Sequence, residues 1–236
     1  MGPAAIRAVR RTTVVDGVID EIKRLLHSQE MAAGTKLPGE RELSRRLGVS
    51  RPSVREALRA LGRMGVLDTR HGSGTQVAAS GSNVLKTPLE FLLALDQPSI
   101  ADLHETRELL EVHLAGQAAR RRTNDDLAAM EAALRGMRLR LASPQDVTDP
   151  DLRFHQAVAA AAHNRLLERV MNCLHDSIGS MMDAAWPGNR DMKVSLRIHE
   201  DVHDAVRRRN PEGARRAMRR HMAAMTQELR HVKLIP

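Results

Sequence analysis

Aromatic residues are almost missing from this chain of 236 residues: Phe91, Phe154, Trp186 and no tyrosine. Cores must then be filled by Leu, Val, Ala and Met, which suits packed helices better than sheets. Cys173 is the single cysteine, so no internal disulfide framework is available. No apolar run approaches the ~18 residues needed to span a bilayer, so no membrane partner is expected. A secretory pattern is also missing, because Ile6 to Thr13 is basic and polar rather than an apolar h-region. The expected location is the cytoplasm. Acidic residues are outnumbered, and the shortage is local. Residues 1–80 carry 14 Lys and Arg against 8 Asp and Glu, a surplus of 6 out of the whole-chain net charge of +8. A surplus of that kind is either a solvated basic face or a surface that neutralises phosphates and releases counterions.

What is present is most ordered between Leu37 and Val77, LPGERELSRRLGVSRPSVREALRALGRMGVLDTRHGSGTQV. The pattern predicts a helix over Glu40–Leu47, broken at Gly48, a residue free to take positive φ. Ser50 then caps a second helix, with Pro52 tolerated in its first turn. Val54, Ala57, Leu58 and Leu61 fall on one face of that helix, while Arg51, Ser53, Arg55 and Arg59 lie at its start or off the stripe. A helix that buries one face and presents arginines from its N-terminal end suits the major groove of DNA. Val66–Arg70 and Thr75–Ala78 read as two short strands joined by His71-Gly72-Ser73-Gly74. No long helix follows that turn, so it is a wing and not a phosphate-binding loop. Upstream, residues 1–13 read as a flexible arm. Val14 to about Gln29 is a helix with Val15, Val18, Ile19, Ile22, Leu25 and Leu26 on its apolar stripe, packed under the recognition helix.

The segment LPGERELSRRLGVSRPSVREAL with the wing RHGSGTQV resembles the winged helix-turn-helix of the GntR family of bacterial transcription regulators. The resemblance implies that Arg41, Arg51 and Arg55 contact bases or phosphates. Ser53 would lie close to the backbone or a base edge, and His71 and Gly72 at the minor groove. Double-stranded operator DNA and a second copy of the chain are the implied partners, two recognition helices meeting a pseudo-palindromic site as a homodimer.

Ala79 to Asn83 is small and linker-like. The domain division is therefore residues 1–78, a linker at 79–84, and residues 85–236. From Val84 onward the pattern is helical throughout, with helices at Leu85–Leu95, Ser99–Arg122, Asn124–Leu141, Val147–Ala162, Arg165–Ala184, Val194–Arg209 and Pro211–Val232. The fold class is mainly α, with a small β-hairpin wing in the first domain and an all-α bundle of six or seven helices in the second.

Some polar residues sit in the apolar stripes of that bundle. Asp151 and His155 are four apart and share a helix face, flanked by Phe154 and Val158. His199 shares a face with Val202, His203 and Val206, and His221 lies among Ala214, Ala217, Met218 and Met225. Buried polar groups need partners, because leaving one unpaired costs roughly 1–3 kcal/mol. One carboxylate and three imidazoles converging in a bundle would suit a divalent metal. The plainer account is that most of the eleven histidines are exposed or hydrogen-bonded. Arg107 shares a face with Leu103, Leu110 and Leu114, and could clamp a carboxylate ligand or pair with Glu111, four residues on.

This half is similar to the FCD effector domain of the FadR-like subfamily. The matching text is DLRFH, the helix with IHEDVHDAV, and RRAMRRHM. The resemblance implies metal ligation by Asp151, His155, His199 and His221, with zinc expected ahead of nickel or manganese. It also implies an effector pocket lined by Arg107, with His203 lining it or simply packing, that takes a small organic acid such as a hydroxy or sugar acid. The chain is thus read as a ligand-responsive regulator, a repressor by the common logic of the family, and not an enzyme. Two other readings are set against it. His199-Glu200-Asp201-Val202-His203 matches HExxH and would make the bundle a metal-dependent hydrolase with Glu200 as base. A nucleoid-binding protein with a purely structural metal is the third.

Overall fold

In the computed structural model the described residues are 13–70, 74–79, 82–142, 150–185 and 192–235. The chain divides into two compact units at Thr87/Pro88. No described helix is long and apolar enough to cross a membrane.

The first unit contains α1 (Val14–His27), α2 (Glu40–Leu47), α3 (Arg51–Arg63), β1 (Leu67–Arg70) and β2 (Gly74–Val77). α1 and α3 each start on a side-chain cap. Thr13 and Asp16 form a reciprocal capping box on α1, so the expected arm ends in a cap. Ser50 accepts from the Ser53 amide at the start of α3. Gly48 closes α2 at φ 65°, the left-handed turn that sets the angle between the two helices. Val18 and Ile22 of α1 join Leu43, Val54, Ala57, Leu58 and Leu61 in one core, with Leu37, Leu67 and Val77 closing it. β1 and β2 pair antiparallel from Leu67↔Val77 to Arg70↔Gly74. The segment between α1 and α2 does more than connect. Leu37 N donates to Thr75 O (2.8 Å) and Val77 N to Thr35 O (2.8 Å), so this segment adds a short third edge to the wing. His71, Gly72 and the arm before Thr13 lie outside the described residues.

α4 spans Ser82–Asp96, starting inside the segment expected to be linker. The second unit continues with α5 (Ile100–Arg121), α6 (Asn124–Ala142), α7 (Pro150–Ala161), α8 (Arg165–Ala185), α9 (Met192–Arg207) and α10 (Pro211–His231). Its core replaces aromatic bulk with thioethers: Met130, Met137, Met171, Met218 and Met222 are fully buried beside Leu114, Leu134 and Leu229. Ala115, Gly116, Ala118 and Ala119 give α5 a small buried face. A Cβ on Gly116 would stand 2.6 Å from Arg215 Nε, so any larger residue there would have to push the arginine side chain of α10 aside. One hydrophobic cluster gathers α5, α6, α7, α9 and α10 around Phe154, and a second gathers α5, α8 and α10 around Met171. The α7–α8 turn pairs a left-handed residue with a helix cap. Positive φ falls on His163 (46°), while Asn164 caps α8 by accepting from Leu167 N (3.2 Å).

Candidate metal centre and nucleic-acid interface

All four residues expected to hold a metal point into one buried space. Asp151 and His155 come from one face of α7, His199 from α9 and His221 from α10. His155 Nε2 lies 3.3 Å from His199 Nε2, and His199 Nε2 lies 3.3 Å from Asp151 Oδ1. His155 Nε2 is 3.8 Å from Asp151 Oδ2. His221 faces both rings, at centroid distances of 4.9 Å from His155 and 4.5 Å from His199. Ligand atoms of the three imidazoles lie within 4.8 Å of one another. Phe154 packs edge-on against His199 at 4.9 Å and seals one side.

Tautomers decide what this space can hold. His199 Nδ1 donates to Ser195 O at 2.7 Å, so in the neutral ring Nε2 is a lone pair. His155 Nδ1 contacts a carboxylate oxygen of Glu111, with the same consequence for its Nε2. His221 Nε2 is buried with no hydrogen-bond partner among the described residues. Lone pairs facing each other and a carboxylate repel unless a cation sits between them. A tetrahedral zinc site with bonds of about 2.1 Å has ligand–ligand edges of about 3.4 Å, which the two 3.3 Å separations match. The residues therefore fit a small divalent ion. Without a metal the same contacts favour a proton in its place: burial would lower the His199 imidazole, but the Asp151 carboxylate outweighs it and raises it above its ordinary value. Burial would raise the Asp151 carboxyl, but His199, His155 and His221 outweigh it and hold it well below the carboxylate range. Burial, then the two neighbouring imidazoles, push His221 well below its ordinary value and keep it neutral.

Beyond His155 lies a group the sequence did not single out as a site residue. Glu111, 2% exposed, takes Arg107 Nε at 2.9 Å and His175 Nε2 at 3.2 Å on one oxygen, and His155 Nδ1 on the other. Of the two readings left open for Arg107, the pair with Glu111 is formed. A faint signal for His175 existed: it follows Met171 by one helical turn on the inward face of α8. His104 is a strut, its Nε2 bonding Thr226 Oγ1 (2.8 Å) and Met222 O (3.2 Å) on α10.

In the first unit, Arg41, Arg51 and Arg55 are exposed on α2 and α3. Arg55 is held by Glu40, its Nε 3.1 and 3.0 Å from the two carboxylate oxygens and its Nη2 2.8 Å from one of them. The hydrogen bonds to Arg55 keep the Glu40 carboxyl below its usual value. Exposed pairs of this kind are worth little and are cheap to exchange for a phosphate. Ser53 is half-buried and serves the helix cap, with its Oγ 2.8 Å from Ser50 Oγ.

The model for bacterial regulatory proteins of the gntR family matches residues 14–77, and the FCD domain matches residues 102–224, more than half the chain. This chain belongs to the GntR family. GntR proteins with an FCD domain regulate transcription and are not enzymes. This one is 33% identical to the provisionally named L-lactate dehydrogenase operon regulatory protein of Escherichia coli K12, over 88% of this chain and 83% of the relative. LutR of Bacillus subtilis is 32% identical over 84% of this chain and 93% of its own length. The galactonate operon transcriptional repressor of Escherichia coli K12 is 29% identical, covering 89% and 93%. Among solved structures, the Streptococcus agalactiae GntR protein superposes with a TM-score of 0.73 at 29% identity, covering 91% of this chain and all of that one.

Family and geometry together remove support for the hydrolase reading. Glu200, its required base, lies on the surface with Oε1 held by Arg138 at 2.8 and 3.2 Å. His203 is half-buried and absent from the two metal-capable groups among the described residues. Its imidazole is pushed down by burial, against the nearby acids Glu131 and Asp204. HExxH here is the by-product of a histidine-rich helix whose first histidine faces inward.

Proposed function

We propose that this GntR protein is a homodimeric repressor that binds a pseudo-palindromic operator through α3. A small hydroxycarboxylate beside a divalent metal in the FCD domain releases it. The carrying observation is the convergence of His155, His199, His221 and Asp151 within a bundle attached to a helix-turn-helix. Zinc suits three imidazoles and one carboxylate best, with nickel or manganese as alternatives. Bound there, it would supply a Lewis-acidic anchor for a carboxylate.

Charge favours a monoanionic effector. With neutral imidazoles, Asp151, Glu111 and Arg107 sum to one negative charge. A divalent ion turns that into one positive charge, and burying an uncompensated charge is costly. One carboxylate restores neutrality. The operons named for two relatives concern L-lactate and galactonate, both 2-hydroxy acids with a single carboxylate. Because Arg107 is engaged by Glu111, its part would be to share its guanidinium with the incoming anion, and His203 would line the approach.

The test is a gel-shift titration of zinc-loaded, full-length protein on its operator with L-lactate, galactonate and related acids. Effector coupling of the usual ~1–3 kcal/mol predicts a ~5–150-fold loss of operator affinity with one of them. Chelator-stripped protein, and the double variant His199→Ala, His221→Ala, should bind less zinc and lose the response. Operator affinity indifferent to every such acid would sink the effector class, and a monomer mass in light scattering would sink the dimer.

A further inference from the structure

We propose that Glu111 is a positioning residue for the metal site, a buried carboxylate that fixes the tautomer of His155. The inference rests on the metal reading above. Glu111 on α5 receives Arg107 from its own helix, His155 from α7 and His175 from α8, and all four residues are buried. One of its oxygens meets two donors, the permanently charged Arg107 guanidinium at 2.9 Å and His175 Nε2 at 3.2 Å, which is the environment of a carboxylate rather than a carboxylic acid.

An ionised carboxylate only accepts, so His155 must carry its proton on Nδ1. Its Nε2 lone pair then faces Asp151, His199 and His221. His199 is fixed the same way, by the carbonyl of Ser195 at 2.7 Å.

Glu111, His155 and His175 also lie close enough to form a cation site by themselves. Arg107 decides against it. Its guanidinium nitrogen is 2.9 Å from the Glu111 carboxylate, so a second divalent ion would enter beside a permanent positive charge. It would also have to strip the Nδ1 proton that orients His155. The cluster therefore serves the neighbouring site. Through Glu111 the Arg107 guanidinium is two contacts from a metal ligand.

Glu111→Gln gives a directional test. The oxygen facing Arg107 and His175 meets two donors, so the amide oxygen must take that side. The amide NH2 is then left facing His155 Nδ1, which forces that ring to become an acceptor there and to carry its proton on Nε2. Long-range 1H–15N spectra of zinc-free full-length protein at pH 8 should show His155 protonated at Nδ1 in the wild type and at Nε2 in the variant. Zinc affinity, measured against a competing chelator, should fall by about 10–100-fold in the variant. A wild-type His155 protonated only at Nε2 overturns the proposal even if the variant does not fold. A folded variant that keeps the wild-type tautomer, or binds zinc within threefold of wild type, also overturns it. Failure of the wild type to bind zinc would instead refute the metal reading, and leaves the tautomer measurement standing as the test of the Glu111–His155 bond.

Discussion

Replacing His221 with leucine should make the protein more stable without metal and less stable with it. His221 is 5% exposed, is pushed toward the neutral form by burial, and has an Nε2 with no partner among the described residues. An unsatisfied buried polar atom costs about 1–3 kcal/mol, which an apolar side chain of similar volume recovers. Differences in shape return less than about 1.5 kcal/mol of that. Metal-free His221→Leu should therefore lie about 0–2 kcal/mol above wild type. For a protein of this size each kcal/mol moves Tm by about 2–4 °C, so the expected rise is about 0–8 °C. Zinc at a hundredfold excess over its Kd stabilises the wild type by about 2.7 kcal/mol, and the variant loses most of that gain. The order of the two melting temperatures should invert between chelator and zinc. Thermal unfolding by circular dichroism in both conditions reads it directly. A chelated variant more than about 1 kcal/mol below wild type would mean that Nε2 had a partner after all. An equal zinc shift in both proteins would remove His221 from the metal site.

Arg51→Ala and Arg55→Ala should abolish tight operator binding while leaving the helical signal intact. Each phosphate that is no longer neutralised should flatten the plot of log K against log salt by about 0.9. Unchanged gel-shift affinity would reject α3 as the recognition helix. Acid stability of chelated protein should follow Asp151 and Glu111, whose carboxyls are held well below their ordinary values of 3.8 and 4.5. Depressed values stabilise fully above those ordinary values and are lost as pH falls through the folded ones. Melting temperature should therefore drop from about pH 4.5 downward, and Asp151→Asn should flatten that limb. A wild-type profile level down to pH 3 would contradict the assigned pairing.

The helix-turn-helix was legible because its determinants are local. Ser50, Pro52 and Gly48 act within one turn of where they stand, and the stripe Val54, Ala57, Leu58, Leu61 needs only helical periodicity. The same holds for the helices among the described residues, apart from the early start of α4, and for the pairing of Asp151 with His155 on one face. The expected four-residue metal set is brought together by the structure. Missed features lie between elements. No periodicity could say that Thr35 and Leu37 would pair with the wing, since a loop signal does not name a strand edge. Sequence patterning fixes which face of a helix is inward, and so it determined the presence of an aromatic-poor, methionine-filled bundle with histidines inside it. Which helix each inward face meets is set by packing across long separations. Only the tertiary structure could place His175, 64 residues from Glu111, on the same carboxylate as Arg107 and His155. That packing also decided that Arg107 faces a buried acid, because an interior carboxylate has to find its donors wherever neighbouring helices supply them.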